Sequence, residues 1–223
     1  MESRVKVRRR AYHSPARADQ AASTRRRILE ASRALFETDG YVATTINAIA
    51  ERATVSPETV YASFGSKRAL LGVLIDVTLA GDDATVPILD RPWVRRLRAQ
   101  TDPPRQLRIL ARNGRQILER ITPLYTVLQG AAAADPAVGE ALERYAQQRF
   151  AGQRALLGML TANRSLRPGL TRSKAADILF GIGSPELYGL LVLGHGWSPS
   201  RFETWYADAL DRLLFQADRF ERA

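Results

Sequence analysis

The chain has 223 residues, of which 45% are hydrophobic, and carries a net charge of +10 with an isoelectric point near 10.6. That length suffices for one ordinary domain or for a small domain joined to a larger one, and the charge favours a polyanionic partner, nucleic acid before a membrane surface. The absence of cysteine excludes disulfides, thiolate metal sites and cysteine nucleophiles.

Residues 1–27 concentrate the charge, with Arg4, Lys6, Arg8, Arg9, Arg10, Arg17, Arg25, Arg26 and Arg27 set against Glu2 and Asp19. Residues 1–22 read as an unstructured basic arm. Alone, such an arm is either a solvated tail or, led by Arg8, Arg9 and Arg10, a segment lying along DNA phosphates or in a minor groove. No apolar core of a secretory leader is visible in it. Helical periodicity begins after Ser23, with Ile28, Leu29, Leu35 and Phe36 on one face, and Gly40 reads as its stop.

A short second helix opens at Thr44-Thr45, and Ile46, Ile49, Ala50 and Ala53 form its narrow apolar stripe. Thr54-Val55 breaks the pattern. Ser56-Pro57 restarts it, the serine as cap and the proline at the first helical position. Val60 and Phe64 mark the inner side of this third helix, Gly65 ends it, and Ser66 caps a fourth helix through Lys67, Leu70, Leu71, Leu74 and Ile75. Two short helices separated by a three-residue turn, with Ala50 small enough for close approach, form a helix-turn-helix.

Residues 81–92 read as loop, followed by a short segment around Trp93. Beyond Pro103-Pro104 the pattern predicts helices over 107–121 and 123–134, a longest one over 136–163, and then 175–183, 185–193 and 199–219. No stretch alternates with period two long enough to argue a sheet, so the fold is read as all-α. The apolar run 189–194 (GLLVLG) is far too short to span a bilayer, and no membrane partner is expected.

In a helix-turn-helix the second helix enters the major groove and its first residues meet base edges. Here those are Ser56, Pro57, Glu58 and Thr59. Ser56 and Thr59 can bond bases or phosphates, the Thr59 methyl can pack on thymine, and Glu58 can accept from cytosine N4. Capping alone for Ser56 and helix-dipole stabilisation for Glu58 stand as the plainer alternatives. Tyr61 can reach a phosphate, or lie partly buried. Lys67, in the first turn of the next helix, and Thr44 and Thr45, at the start of the second, suit phosphate contacts.

Enzyme chemistry finds little support. His13 and His195 have no carboxylate or histidine at ligand spacing, and no phosphate-binding glycine loop, GxSxG or HExxH is present, so neither metal nor cofactor is expected.

The run TTINAIAERATVSPETVYASFGSKRALL (44–71) resembles the N-terminal signature of the TetR (tetracycline-repressor) family. The matching positions are Phe36 and Gly40-Tyr41, then Thr45, Ile49-Ala50, Ala53, Val55-Ser56, Thr59, Tyr61, Phe64, Ser66-Lys67 and Leu70-Leu71. The resemblance covers residues 23–75. It departs at Thr54, where the family often has glycine, and at Ser63, where histidine is frequent.

The resemblance implies a helix-turn-helix DNA-binding domain over 23–66 and a larger helical ligand-binding and dimerisation domain over 67–223. It implies a cytoplasmic homodimer that binds a palindromic double-stranded DNA operator, typically as a repressor, and answers to a small-molecule effector. Trp93, Tyr125, Leu128, Phe150, Met159 and Phe180 are the pocket candidates, with plain core as their other reading. Leu190, Leu191, Trp205, Leu210 and Leu213 are the candidates for a four-helix dimer interface, or else intramolecular core. Arg112 and Arg120 read as solvated helix faces, with contact to an acidic ligand as the alternative. Two rivals remain at this point: a sequence-indifferent DNA binder dominated by the arm, and a helical protein whose helix-turn-helix is only structural.

Overall fold

The computed structural model describes residues 15–82 and 86–215. The predicted arm contacts Arg8, Arg9 and Arg10 lie outside the described residues. Among those residues the regular structure is helical, apart from one isolated antiparallel bridge between Leu166 and Phe215.

The first helix, α1, runs Pro15–Asp39, so residues 15–22 are helical where the sequence predicted an unstructured arm. Asp19, Gln20, Ala21 and Ala22 are all exposed. They carry no apolar stripe for periodicity to detect. The helix stops where expected, at Gly40 with φ +81°.

Helices α2 (Ile46–Ala53), α3 (Pro57–Phe64) and α4 (Lys67–Ala80) each begin at a hydroxyl cap. Thr45 accepts from the Ala48 N–H, Ser56 from Thr59 and Ser66 from Ala69, at 3.1, 3.3 and 3.1 Å. Each such cap contributes about 1 kcal/mol. These helices bury Ile49, Ala50, Val60, Leu70, Leu71 and Leu74 against Ile28 and Phe36 of α1.

A single 3₁₀ turn, Ile88–Asp90, leads into α5 (Pro92–Ala99). The next element corrects the sequence reading. Residues predicted as two helices form one, α6 (Pro103–Ala131), with Pro123 inside it. Proline has no N–H for the Glu119 carbonyl and costs a helix interior about 3 kcal/mol. Burial of Ile121, Leu124 and Leu128 along the same stretch outweighs that cost. Helix α7 (Pro136–Leu160) is shorter than α6 and ends before the predicted 163.

The remaining helices are α8 (Arg172–Ile182), α9 (Pro185–Tyr188) and α10 (Pro199–Leu214). The predicted helix over 185–193 holds α geometry only for α9 and then widens into a π-helical segment, Gly189–Gly194. The stretch Arg172–Gly194 is long and apolar enough, by length and composition, to cross a membrane. Its backbone nevertheless leaves helical geometry at Ser184 (φ −100°, ψ 150°), which caps α9. The 11 residues of α8 rise about 16 Å, half a hydrocarbon core.

Two apolar cores result. One joins α1–α4 to Ile121, Leu124, Leu128 and Ala131 of α6 and to Val138, Ala141 and Tyr145 of α7. The other gathers α5, the first half of α6, the second half of α7, and α8 and α10 around Leu110, Leu157, Leu179, Phe202, Tyr206 and Leu210. Helix α6 therefore serves both, and α4 packs on α6 and α7 as well as on α1 and α3. A boundary at Ser66 runs through a continuous core.

Candidate nucleic-acid interface

The turn between α2 and α3 depends on Thr54, which adopts φ 55° and ψ 51°, the one non-glycine residue with positive φ among those described. Its N–H donates to the Glu51 carbonyl at 3.0 Å, and the Val55 N–H donates to Ala50 at 2.9 Å. Arg27 of α1 adds a third closure, its Nη1 donating to the Ala53 carbonyl at 3.0 Å. The sequence reading missed this arginine, because nothing in a basic segment marks one member as a helix cap.

Helix α3 turns Val60 and Phe64 inward. Arg25 stacks over the Phe64 ring at 4.7 Å, which ties α1 to the end of α3. The outward side presents Ser56, Glu58, Tyr61, Ala62 and Ser63, with Pro57 and Thr59 half-buried. Tyr61 is 53% exposed, so partial core burial does not describe it. Ser56 does cap, and its hydroxyl also lies 3.2 Å from the Thr59 hydroxyl. A hydrogen bond from Ser56 holds the Glu58 carboxyl below the usual carboxylate range.

Lys67 is half-buried in the first turn of α4. Its ammonium donates to the Val42 carbonyl at 3.4 Å and sits 4.2 Å above the Tyr41 ring. Burial pulls its pKa down and pushes that of Tyr41 up. Thr45 is exposed. Thr44, predicted as a phosphate contact, is buried: its hydroxyl bonds the Leu35 and Gly40 carbonyls at 3.2 and 2.8 Å and its N–H donates to Gly40. With side chain and amide both engaged, Thr44 fastens the α1–α2 corner and cannot reach a phosphate.

The pocket candidates do not come together. Trp93 lines an open cleft of about 270 Å³ with Leu79, Ile88, Arg91, Arg96, Ile117 and Arg120. Tyr125 packs on Tyr145, ring centres 5.7 Å apart, and donates to Glu186 at 2.5 Å. Burial pushes the Tyr145 hydroxyl up to about 12. Phe150 and Phe180 stack edge to face at 5.4 Å, with Arg149 over the Phe180 ring at 3.6 Å. Met159 lies partly buried against the second core, and Leu128 is buried in the first core, which removes it as a pocket wall.

The interface candidates divide likewise. Leu190 and Leu193 are 56% and 59% exposed on the π-helical segment, and Leu191, Trp205 and Leu213 are half-buried. Leu210 is wholly buried within its own chain and so faces no partner. His195 is exposed, and no group of three or more histidine or acidic side chains could hold a metal among the described residues.

A capped, outward-facing recognition helix, locked to its neighbour by a tight turn and followed by a larger helical body, is the architecture of a DNA-binding transcription regulator. Residues 28–74 match the family model of bacterial regulatory proteins of the tetR family. Solved structures with the same fold include native NalD of Pseudomonas aeruginosa, the secondary repressor of the MexAB-OprM multidrug efflux pump. It is 23% identical, with a TM-score of 0.69 over 89% of this chain and 99% of that one. A protein of Mesorhizobium loti described as a TetR-family transcriptional regulator is 22% identical, with a TM-score of 0.62 over 86% and 96%. A Clostridium perfringens protein described as a fatty acid metabolism regulator is 19% identical, with a TM-score of 0.60 over 85% and 100%. Among curated proteins none matches. Residues 28–74 are thus those of the N-terminal domain of tetR-family bacterial regulatory proteins, and the chain as a whole shares its fold with solved TetR-family transcriptional regulators.

Proposed function

We propose that the chain acts as a cytoplasmic homodimeric repressor that reads a palindromic operator through two copies of α3 and is released by a small-molecule effector. The observation that carries this reading is the outward side of α3, where Ser56, Glu58 and Tyr61 are exposed and Thr59 half-buried on a helix with both ends tied down. A rigid helix with polar leading residues is what base readout requires. Thr45 and Lys67 flank it as phosphate contacts, and Arg8, Arg9 and Arg10 add salt-dependent affinity. Leu190 and Leu193 supply an exposed apolar patch for a symmetry mate.

The test is selection from randomised duplex DNA at near-physiological salt, with the full chain and with a form lacking residues 1–14. Enrichment of the same palindrome by both forms is the expected result. Retention of DNA without an enriched sequence, lost with the arm, would instead establish a sequence-indifferent binder.

A further inference from the structure

The cleft beside Trp93 has a chemistry of its own. Arg91, Arg96 and Arg120 line it, Asn113 and Gln116 add amides, and Leu79, Ile88, Trp93 and Ile117 form its apolar surfaces; none of the lining residues is acidic. The three arginines differ in what they hold. Arg91 pairs with Asp82 through two hydrogen bonds, of 2.6 and 2.9 Å. Arg120 donates from Nε to the Thr78 carbonyl at 3.1 Å and from Nη2 to the Leu79 carbonyl at 3.0 Å, so it caps the last turn of α4. Arg96 is exposed on α5.

We propose that this cleft is the effector site and takes a small amphipathic carboxylate, its head group held by Arg96 and Arg120 and its apolar body laid against Ile88, Trp93 and Ile117. The volume, about 270 Å³, lies just below the range for drug-sized ligands, so the ligand is small. A guanidinium engages a carboxylate best through two parallel N–H donors. With Nε and one Nη2 hydrogen on the α4 carbonyls, Arg120 still presents its Nη1 and second Nη2 hydrogens as such a pair toward the cleft's ligand. Burial already lowers the Arg120 pKa, and a carboxylate neighbour relieves that cost.

This inference rests on the chain being effector-responsive, and its test separates the two. Octanoate and 2-naphthoate are titrated into the full chain by calorimetry, beside octanamide and 2-naphthamide, and the same titrations are run on Arg96→Gln. At least one carboxylate should bind, its amide about tenfold more weakly, with a similar loss in Arg96→Gln. The bound carboxylate should also weaken binding to the selected operator duplex. Equal binding of acid and amide, no loss in Arg96→Gln, or no binding of either acid at millimolar concentration would overturn the site. Binding without any change in operator affinity would overturn its role as the effector site. Failure of the DNA selection would remove the repressor reading and leave the calorimetric result standing on its own.

Discussion

Thr54 is the residue on which the head's geometry is most costly. A β-branched side chain in the left-handed region costs about 1–2 kcal/mol, and the turn imposes it because two amides must close the end of α2. Thr54 is exposed and its side chain takes part in no capping bond that would offset this. Thr54→Gly should raise stability by about 0.5–1 kcal/mol, the relieved strain less the extra freedom of glycine in the unfolded chain. Urea denaturation measures it, and a fall in stability would assign the threonine side chain a structural contact. At this scale the sequence was legible where a residue's role is local: the Thr45, Ser56 and Ser66 caps and the stops at Gly40 and Gly65 follow from chemistry within four residues. Thr44 and Arg27 were not legible. Each finds its partner across a helix corner, and only the fold decides whether a threonine hydroxyl meets a phosphate or a carbonyl.

The elements lock together through close approaches that no periodicity encodes. Tyr206 of α10 is wedged between Gly114 of α6 and Gly183 at the end of α8. A Cβ on Gly114 would lie 3.1 Å from the Tyr206 ring, and one on Gly183 would lie 3.2 Å from its Cζ and 3.0 Å from the Leu179 carbonyl. Burial raises the Tyr206 pKa, so its hydroxyl stays protonated there. Gly183→Ala should therefore destabilise the chain by about 1–3 kcal/mol through overpacking, read as a lowered thermal midpoint. An unchanged midpoint would mean that α10 can slide away from α8. The element errors of the sequence reading share one cause, since each sits where tertiary packing overrides a local signal. Pro123 looked like a helix boundary, but burial of Ile121 and Leu124 carries α6 through it. Gly189 and Gly194 bracket a wider coil in a segment whose apolar pattern also fits an α-helix. Asp19 to Ala22 form helix without any apolar face.

For the whole molecule, the proposed homodimer has a clear handle. Leu190 and Leu193 project from the π-helical segment and are not part of either core. Replacing both with glutamate should leave the circular dichroism spectrum intact and shift the sedimenting species from dimer to monomer. A dimer that survives would locate the interface elsewhere. Trp93 and Arg120 were singled out in the sequence, but their meeting in one cleft was not legible. The cleft joins Leu79, Trp93 and Arg120 from three separate helices, and no spacing rule connects them.

The shared first core has a further consequence for how such a regulator can be recombined. The DNA-reading head carries no closed interior of its own, because Ile121, Leu124, Leu128, Val138 and Tyr145 complete it from the body. A head transplanted from a relative at the end of α4 would arrive with the α6 and α7 share of its core belonging to another lineage. If α3 reads the operator as proposed, exchange of specificity is confined to its outward surface, where residues change without an apolar neighbour to match. Exchange of whole heads requires the second half of α6 and the start of α7 to travel with them.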